Sequence, residues 1–199
     1  MNIQSCRLFC GVAIGMLAAA TASAQFNPLT IVGKVVSTAM DVRTKTEVKN
    51  DVEISTAASK RLLDDKSAEW SGVTLLVFAQ HVVIAGAVKT DDAKKLVAEV
   101  VRKDERIRSL TNDLIVIKKA GDEGGLVKDT AMDTSINAAV TTTKGISSVN
   151  MRWKSVNGNV VLMGVAQTKE EAQLAVAKIK ELDGVKSVKS HLRIVPKPG

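Results

Sequence analysis

The chain has 199 residues, of which 45% are hydrophobic and 25% are charged, and its formal net charge is +7. This composition is typical of one or two small globular domains, and it excludes collagen, mucins, disulfide-framework proteins and multispanning membrane proteins. Aromatic residues make up only 3% of the chain, so the core is expected to consist of Val, Ile, Leu, Met and Ala.

Residues 1–24 have the pattern of a secretory signal peptide. Arg7 precedes an apolar run over residues 8–20, and small residues at 22–24 form a cleavage site. The run is shorter than the ~20 apolar residues that span a bilayer. Both cysteines of the chain lie in this segment. We therefore expect a mature protein that begins near Gln25, has no thiol and is exported in soluble form.

Residues 25–50 form an N-terminal segment that is predicted to contain an amphipathic helix over about residues 30–41. Its apolar side chains have the spacing of one helix face, and they are Val32, Val35, Val36, Ala39 and Met40. Three interpretations remain open: the helix packs on the domain that follows, it contacts a membrane surface or a partner, or the segment is disordered.

An internal repeat with a period of 78 residues relates residues 51–116 to residues 129–194 without gaps. The strongest match pairs residues 82–86 with residues 160–164. A unit of this length is large enough to fold alone. The repeat therefore predicts two domains in tandem.

The predicted first domain covers residues 51–118 and the second covers residues 129–196. Residues 119–128 contain three glycines among charged residues, which predicts a polar linker. In each domain the hydrophobic spacing changes in the order helix, strand, strand, helix, strand. Thr168 and Glu171 are spaced as a capping box for the second helix of the second domain. Each domain is therefore predicted to be an α+β two-layer sandwich whose three-stranded mixed sheet carries both helices on one face.

Glycines are expected to mark turns and the ends of elements. Asn157 and Gly158 predict a tight hairpin turn in the second domain, because such a turn needs positive φ at both positions. Gly86 and Gly164 are expected to end the second strand of their domains, and Gly184 is expected to end the last helix.

The face of each sheet that points away from the helices is the candidate functional surface. In the second domain this face is expected to be basic and partly apolar, with the side chains of Arg152, Lys154, Val161, Met163, His191 and Arg193. In the first domain the same register turns apolar side chains outward: Leu76, Phe78, Val83, Ile115 and Ile117. Such an apolar face is expected to be covered, either by the N-terminal helix or by the second domain.

The second domain is also the more basic one. It contains nine basic and six acidic residues, whereas the first domain contains eleven of each. A Lys or Arg close to an anionic bilayer contributes about 1 kcal/mol to membrane binding. The basic face is therefore either a weak, salt-sensitive site for anionic phospholipid or a solvated sheet face.

The sequence contains no recognisable motif for catalysis or for binding a metal or a cofactor. His81 and His191 lie in different domains, and no Cys, His or carboxylate cluster has ligand spacing. Nucleic acid is not expected as a partner, because the chain carries an export signal and its basic face lacks stacking aromatic residues. The protein is therefore predicted not to be an enzyme and to need neither a metal nor a cofactor.

Several short patterns resemble the BON domain, a family found in tandem in exported bacterial envelope proteins. The matching residues are Val160, Leu162, Gly164 and Thr168, their counterparts Val82, Ile84, Gly86 and Thr90, and the G-V-x-x-V run over residues 184–188. The resemblance implies phospholipid binding or a chaperone-like stress role, without catalysis. It also places Ala131, in the first helix of the second domain, where a lipid-binding member has a membrane-facing Trp.

We therefore predict a periplasmic protein, soluble or peripheral at the outer membrane, that binds anionic phospholipid and supports envelope integrity or osmotic-stress tolerance. The alternative hypothesis is a chaperone-like protein that binds unfolded clients or other envelope proteins on the apolar strands of the first domain. Under the first hypothesis the lipid-binding residues are Arg152, Lys154, Met163, Arg193 and Ala131.

Overall fold

The computed structural model describes residues 41–65 and 70–196. The predicted signal peptide and nearly all of the predicted helix over residues 30–41 lie outside these residues.

Two domains follow each other along the described chain. The first contains α1 (Lys45–Asp64), β1 (Val73–Phe78), β2 (His81–Val88), α2 (Asp91–Arg102), β3 (Ser109–Asn112) and β4 (Ile115–Val116). The second contains α3 (Leu126–Thr142), a short 3₁₀ turn (Ser148–Asn150), β5 (Met151–Val156), β6 (Asn159–Ala166), α4 (Lys169–Lys180) and β7 (Ser187–Ile194). From β1 to β3, every element begins 78 residues before its counterpart. The predicted α+β class, with two sandwich units, is confirmed.

The first helix of each domain is longer than its predicted domain boundary allows. α1 begins at Lys45, upstream of residue 51, and α3 begins at Leu126, within the segment predicted to be a linker. α1 has a complete capping box, in which Thr44 Oγ1 accepts the N–H of Glu47 and the Glu47 carboxylate accepts the N–H of Thr44.

Each sheet consists of an antiparallel hairpin that is extended by a parallel strand. β1 pairs with β2 and β2 with β3, and β5, β6 and β7 repeat this arrangement. The second domain has the predicted three strands, whereas in the first the last strand is interrupted and both parts pair with β2. At the interruption, Asn112 Oδ1 accepts the N–H of Leu114 at 3.2 Å. This local hydrogen bond competes with strand pairing.

The hairpin turns have positive φ, as predicted for Asn157 (49°) and Gly158 (79°). The equivalent turn of the first domain has the same conformation without a glycine, at Ala79 and Gln80. The Asp51 carboxylate of α1 accepts both of these N–H groups, at 2.8 Å from Ala79 and 2.6 Å from Gln80. A buried side chain therefore stabilises a turn that its own residues disfavour.

Gly86 and Gly164 lie inside β2 and β6, so the prediction that they end these strands is wrong. Both have positive φ, 123° and 130°. A Cβ atom would lie 1.8 Å from the carbonyl oxygen of Gly72 in the first case and 2.0 Å from that of Asn150 in the second. These glycines are needed because the neighbouring backbone comes too close for any side chain.

The predicted capping box of α4 is only half formed. Thr168 Oγ1 accepts the N–H of Glu171 at 3.1 Å, as expected. The Glu171 carboxylate instead accepts the N–H groups of Gln167 and Ser147, both at 2.7 Å. It is buried, and it links the start of α4 to the loop that precedes the 3₁₀ turn.

The helices of each domain cover one face of its sheet and enclose a separate core. Ile54, Ile84 and Val97 are fully buried in the first core, and Leu162 and Ile179 in the second. A third cluster of buried apolar side chains lies between the domains. It contains Leu76, Phe78, Ala79, Val83 and Ala85 of the first domain and Met163 and Val165 of the second. This third cluster determines which surfaces remain available for binding.

Candidate functional site

The sheet faces that point away from the helices pack against each other. Leu76, Phe78 and Val83 of the first domain form one buried cluster with Met163 and other residues of the second. Phe78 is 0% exposed and Met163 is 3% exposed. Of the two covers predicted for the apolar face of the first domain, the structure shows the second domain in this position.

This packing contradicts the prediction that Arg152 and Met163 face solvent. The strand register is as expected, but the face to which both belong is an interface between the domains. Arg152 lies over the ring of Phe78, with its guanidinium carbon 5.4 Å from the centroid. Its Nη1 donates to the carbonyl oxygens of Val149 (2.9 Å) and Met151 (2.7 Å). Burial, together with repulsion from Arg43, lowers the pKa of Arg152 to about 10.

A second arginine, which the sequence interpretation did not consider, contacts the other side of the same interface. Arg43 has its guanidinium carbon 4.5 Å from the Phe78 centroid and forms ion pairs with Asp41 (2.7 Å) and Asp51 (3.0 Å). Burial opposes ionisation of Asp41, but hydrogen bonds from Arg43 outweigh it and lower the pKa of Asp41. The residue was missed because it lies upstream of the repeat.

The other two predicted basic residues of this face are separated from Arg152. Lys154 belongs to the edge strand β5. Its Nζ donates to Asp133 of α3 at 2.7 Å, so this contact is made to the helix layer and not across the domain interface. Arg193, in β7, is half-buried and lines a cleft between the domains. The four residues that were predicted to form one lipid-binding surface therefore do not form one.

Polar contacts also cross the interface at Asp113. This buried carboxylate accepts hydrogen bonds from Lys189 Nζ and from His191 Nε2, both in β7. Asp113 and His191 are equivalent positions of the repeat, so one position contacts its own counterpart. The strand contacts between the domains have the same symmetry. β1 contacts its own counterpart β5, and the contact of β2 with β5 is matched by the equivalent contact of β6 with β1. This is the arrangement expected about an approximate two-fold axis.

The cleft beside Asp113 has a volume of about 260 Å³ and is open to solvent. His81 in the cleft contacts Ser109, with 2.5 Å between Nδ1 and Oγ. The pKa of His81 is lowered by burial and by the positive charges of Arg193 and Arg108. The pKa of Arg193 is itself lowered by burial and by Arg108. The carboxylates of Glu47 and Asp51 act on both groups in the opposite direction.

The exposed side of α3 borders a larger groove. This groove, of about 700 Å³, lies between the start of α3 and the hairpin turn of the second domain. Val127 is 82% exposed at its rim, and Met132 and Gly158 contribute to its lining. Lys128 and Lys186 lie on its two sides. Ala131 is exposed on the same helix.

Within the described residues, no helix combines the length and the hydrophobicity that crossing a membrane requires.

Comparison with known proteins supports a family assignment for the second domain. A family model described as the BON domain matches residues 128–196. An uncharacterised protein of the gshII 5′ region in Anaplasma centrale is 29% identical over 125 residues, which cover 63% of this chain and 83% of that protein. Osmotically-inducible protein Y of Escherichia coli K12 is 24% identical over 145 residues, or 72% of each chain.

Two solved structures of CdsD, a structural protein of the type III secretion system of Chlamydia trachomatis, are also similar to parts of this chain. The first, of the C-terminal domain, has a TM-score of 0.31 and 17% identity, and the match covers 69% of this chain and 64% of that one. The second has a TM-score of 0.31 and 16% identity, and the match covers 73% of this chain and 64% of that one. On the match of the family model, residues 128–196 of this chain belong to the BON domain family.

Proposed function

We propose that the protein is an exported envelope protein of the osmotic-stress response that binds anionic phospholipid peripherally, without catalysing a reaction. The BON domain at residues 128–196 and the similarity to osmotically-inducible protein Y support the stress-related role. The same element order in the first domain supports a second BON copy there. The signal-peptide pattern of residues 1–24 supports a periplasmic location.

The membrane contact that we propose is the start of α3 and not the basic sheet face. The observation that carries it is Val127, an apolar side chain that is 82% exposed beside a groove with a lysine on either side. The Asp129 carboxylate does not oppose an anionic surface strongly, because it is buried and accepts the N–H groups of Asn157 and Gly125. We call Val127, Lys128, Ala131 and Lys186 the α3 surface.

The expected affinity of the α3 surface is low. Two lysines near an anionic bilayer contribute about 1 kcal/mol each, and full burial of a valine contributes roughly 1.5–3 kcal/mol. Binding should therefore be reversible and weakened by salt, because the Debye length is about 10 Å at 0.1 M ionic strength.

Client binding by the first domain remains the alternative, but it would require the domains to separate. The apolar face that it needs is buried against the second domain, with Leu76 and Phe78 in the shared cluster. The vesicle experiment below distinguishes the two hypotheses.

Flotation with vesicles at low salt tests the proposal. Wild-type protein should bind vesicles that contain phosphatidylglycerol and not vesicles of phosphatidylcholine alone. Lys128→Glu should weaken this binding at least about fivefold, because it replaces an attraction of about 1 kcal/mol with a repulsion. The matched control is Lys180→Glu, an equal charge change at an exposed position of α4.

A gain of function provides the complementary test. Ala131→Trp should strengthen binding, because a tryptophan at the interface inserts its ring among the headgroups. Ala177→Trp, on the exposed side of α4, is the control. If the wild-type protein does not prefer anionic vesicles even at low salt, the phospholipid proposal is wrong and client binding becomes the leading hypothesis.

A further inference from the structure

Arg193 is the one charged side chain of the cleft between the domains that has no ion pair or hydrogen bond within residues 41–65 and 70–196. The neighbouring charges are paired. Arg108 Nη1 lies 2.9 Å from Glu47 Oε1, and the Asp113 carboxylate binds Lys189 and His191. Arg193 nevertheless lies half-buried at the cleft wall. The carboxylates of Glu47 and Asp51 attract this charge from a distance, but neither contacts it, so its hydrogen-bond donors are available to a ligand.

The charges around the cleft oppose each other only in part. Burial is the largest cause of the lowered pKa of His81 and of Arg193, the arginines add to it by mutual repulsion, and Glu47 and Asp51 act in the opposite direction. An anion beside Arg193 would be attracted more strongly than on an open surface, because water is partly excluded from the cleft.

The cleft also offers hydrogen-bond donors around this charge. A guanidinium can donate two parallel hydrogen bonds to an oxyanion. Hydroxyl and imidazole groups line the same space. His81 Nδ1 and Ser109 Oγ contact each other and His191 Nε2 contacts Asp113, so within the described residues the Thr111 hydroxyl is the one of these groups without a hydrogen bond. The residues that line it include His81, Ser109 and Thr111 of the first domain and Met163, His191 and Arg193 of the second.

The size of the cleft limits the ligand. Its volume of about 260 Å³ is smaller than the ~300–1,000 Å³ of pockets for drug-sized molecules. A tetrahedral anion presents oxygens in more directions than a planar carboxylate does, and it can accept from the Arg193 guanidinium and from the Thr111 hydroxyl together. We propose that the cleft binds a phosphate group, with Arg193 as its main partner and the Thr111 hydroxyl as a second donor. This site is distinct from the α3 surface and does not depend on it.

Because both domains contribute to this site, a bound phosphate should hold them together and stabilise the folded protein. Thermal unfolding of the mature chain is compared in sodium phosphate and in sodium chloride of equal ionic strength at constant pH. The wild-type melting temperature should rise by several degrees in phosphate.

Isothermal titration with inorganic phosphate should show an affinity at least about tenfold lower for Arg193→Gln than for the wild type, since hydrogen bonds to charged groups contribute roughly 1.5–3 kcal/mol.

Two further variants separate binding from folding. Thr111→Val removes a hydroxyl at nearly constant shape, and it should reduce the phosphate effect while leaving the melting temperature in chloride close to that of the wild type. Arg102→Gln removes an equal charge from an exposed position of α2 and should respond to phosphate like the wild type.

The phosphate could come from a soluble compound or from a lipid headgroup, and vesicles distinguish these sources. Phosphatidylglycerol vesicles that reduce binding of inorganic phosphate, and that bind Arg193→Gln more weakly, indicate a headgroup. Phosphate binding that vesicles do not affect indicates a soluble ligand. The Lys128→Glu variant should keep the phosphate effect even if it no longer binds vesicles. The proposal is overturned if phosphate stabilises the wild type no more than chloride does, or if Arg193→Gln is stabilised equally.

Discussion

Asp113 shows how a buried charge is compensated between the domains. Its side chain is 3% exposed and contacts Lys189 and His191. Burial alone would raise the pKa of Asp113, but the hydrogen bonds from these two side chains outweigh it and lower the pKa below its usual value. The ionised carboxylate is therefore favoured in the folded state.

This shift predicts a pH dependence of stability. A carboxyl group whose pKa is lower in the folded state than in the unfolded state stabilises the protein above the unfolded pKa of about 3.9. The contribution is lost as the pH falls through the folded pKa. In urea unfolding, Asp113→Asn should therefore be less stable than the wild type at pH 6, and the difference should shrink below about pH 4.

Asp183→Asn is the control for this measurement, because Asp183 is exposed. Its stability should follow that of the wild type at every pH. A difference between Asp113→Asn and the wild type that stays constant down to pH 2 would show that ionisation of Asp113 is not the cause.

Some residue positions could be predicted from the sequence because their requirement is local. Asn157 and Gly158 adopt positive φ more easily than other residues, so the dipeptide alone indicates the turn. Ala79 and Gln80 carry no such signal, since their conformation depends on the distant Asp51. Asp51 and Asp129 occupy equivalent positions of the internal repeat, and this equivalence was the sequence signal that could have indicated the contact with the turn.

At the level of elements, the start of α1 depends on its capping box. Thr44 and Glu47 each accept the other's N–H group, at 3.1 and 3.0 Å. Arg108 joins the same carboxylate to the segment that precedes β3. Glu47 has a lowered pKa, mainly because its carboxylate accepts the hydrogen bond from the Thr44 backbone. The cap therefore stabilises both the helix end and its contact with the sheet.

Replacement of the cap residue should have a measurable cost. Thr44→Ala should reduce the free energy of unfolding by about 1 kcal/mol, because it leaves a helix N–H group without its acceptor. Thr46→Ala, an exposed change within the first turn, should be neutral or slightly stabilising. Equal losses in the two variants in urea titrations would show that the hydroxyl of Thr44 does not act as a cap.

The sequence predicts most elements because their periodicity follows from the core of a single domain. Strand alternation around Trp153 and helical spacing around Ile136 both report which side chains face that core. The close approach at Gly164 depends on the neighbouring backbone, and the interruption at Asp113 coincides with a hydrogen bond from Leu114 to the side chain of Asn112, so hydrophobic periodicity predicts neither. The capping box at residues 44–47 could have been predicted, since its T-x-x-E spacing is visible in the sequence.

At the scale of the whole molecule, the packing of the two sheets was the main feature that the sequence left open. Alternation assigns Arg152 and Met163 to the outer face, but it cannot show whether that face contacts water, lipid or protein. The apolar outer face of the first domain was the informative signal, because it required a cover. The candidate lipid-binding site therefore moves from the sheet to the α3 surface.

A charge placed in the third cluster should separate the domains without unfolding them. Met163→Asp introduces a carboxylate among buried apolar side chains, and each domain keeps its own core. We expect increased binding of a hydrophobic dye and a larger radius of gyration in X-ray scattering, with helix content retained. Ser190→Asp adds the same charge at an exposed position of β7 and should change neither quantity. An unchanged scattering profile for Met163→Asp would show that the domains are held together elsewhere.

The contact between Asp113 and His191 has a consequence for self-association. In a dimer of two identical domains about the same axis, this position would meet its own copy, so that two carboxylates or two imidazole rings would face each other. A chain that contains one domain with Asp at this position and one domain with His brings two unlike, mutually attracting groups together at the axis. Each domain is thereby a better match for the other kind of domain than for its own duplicate, which disfavours the pairing of two first domains or of two second domains from different molecules.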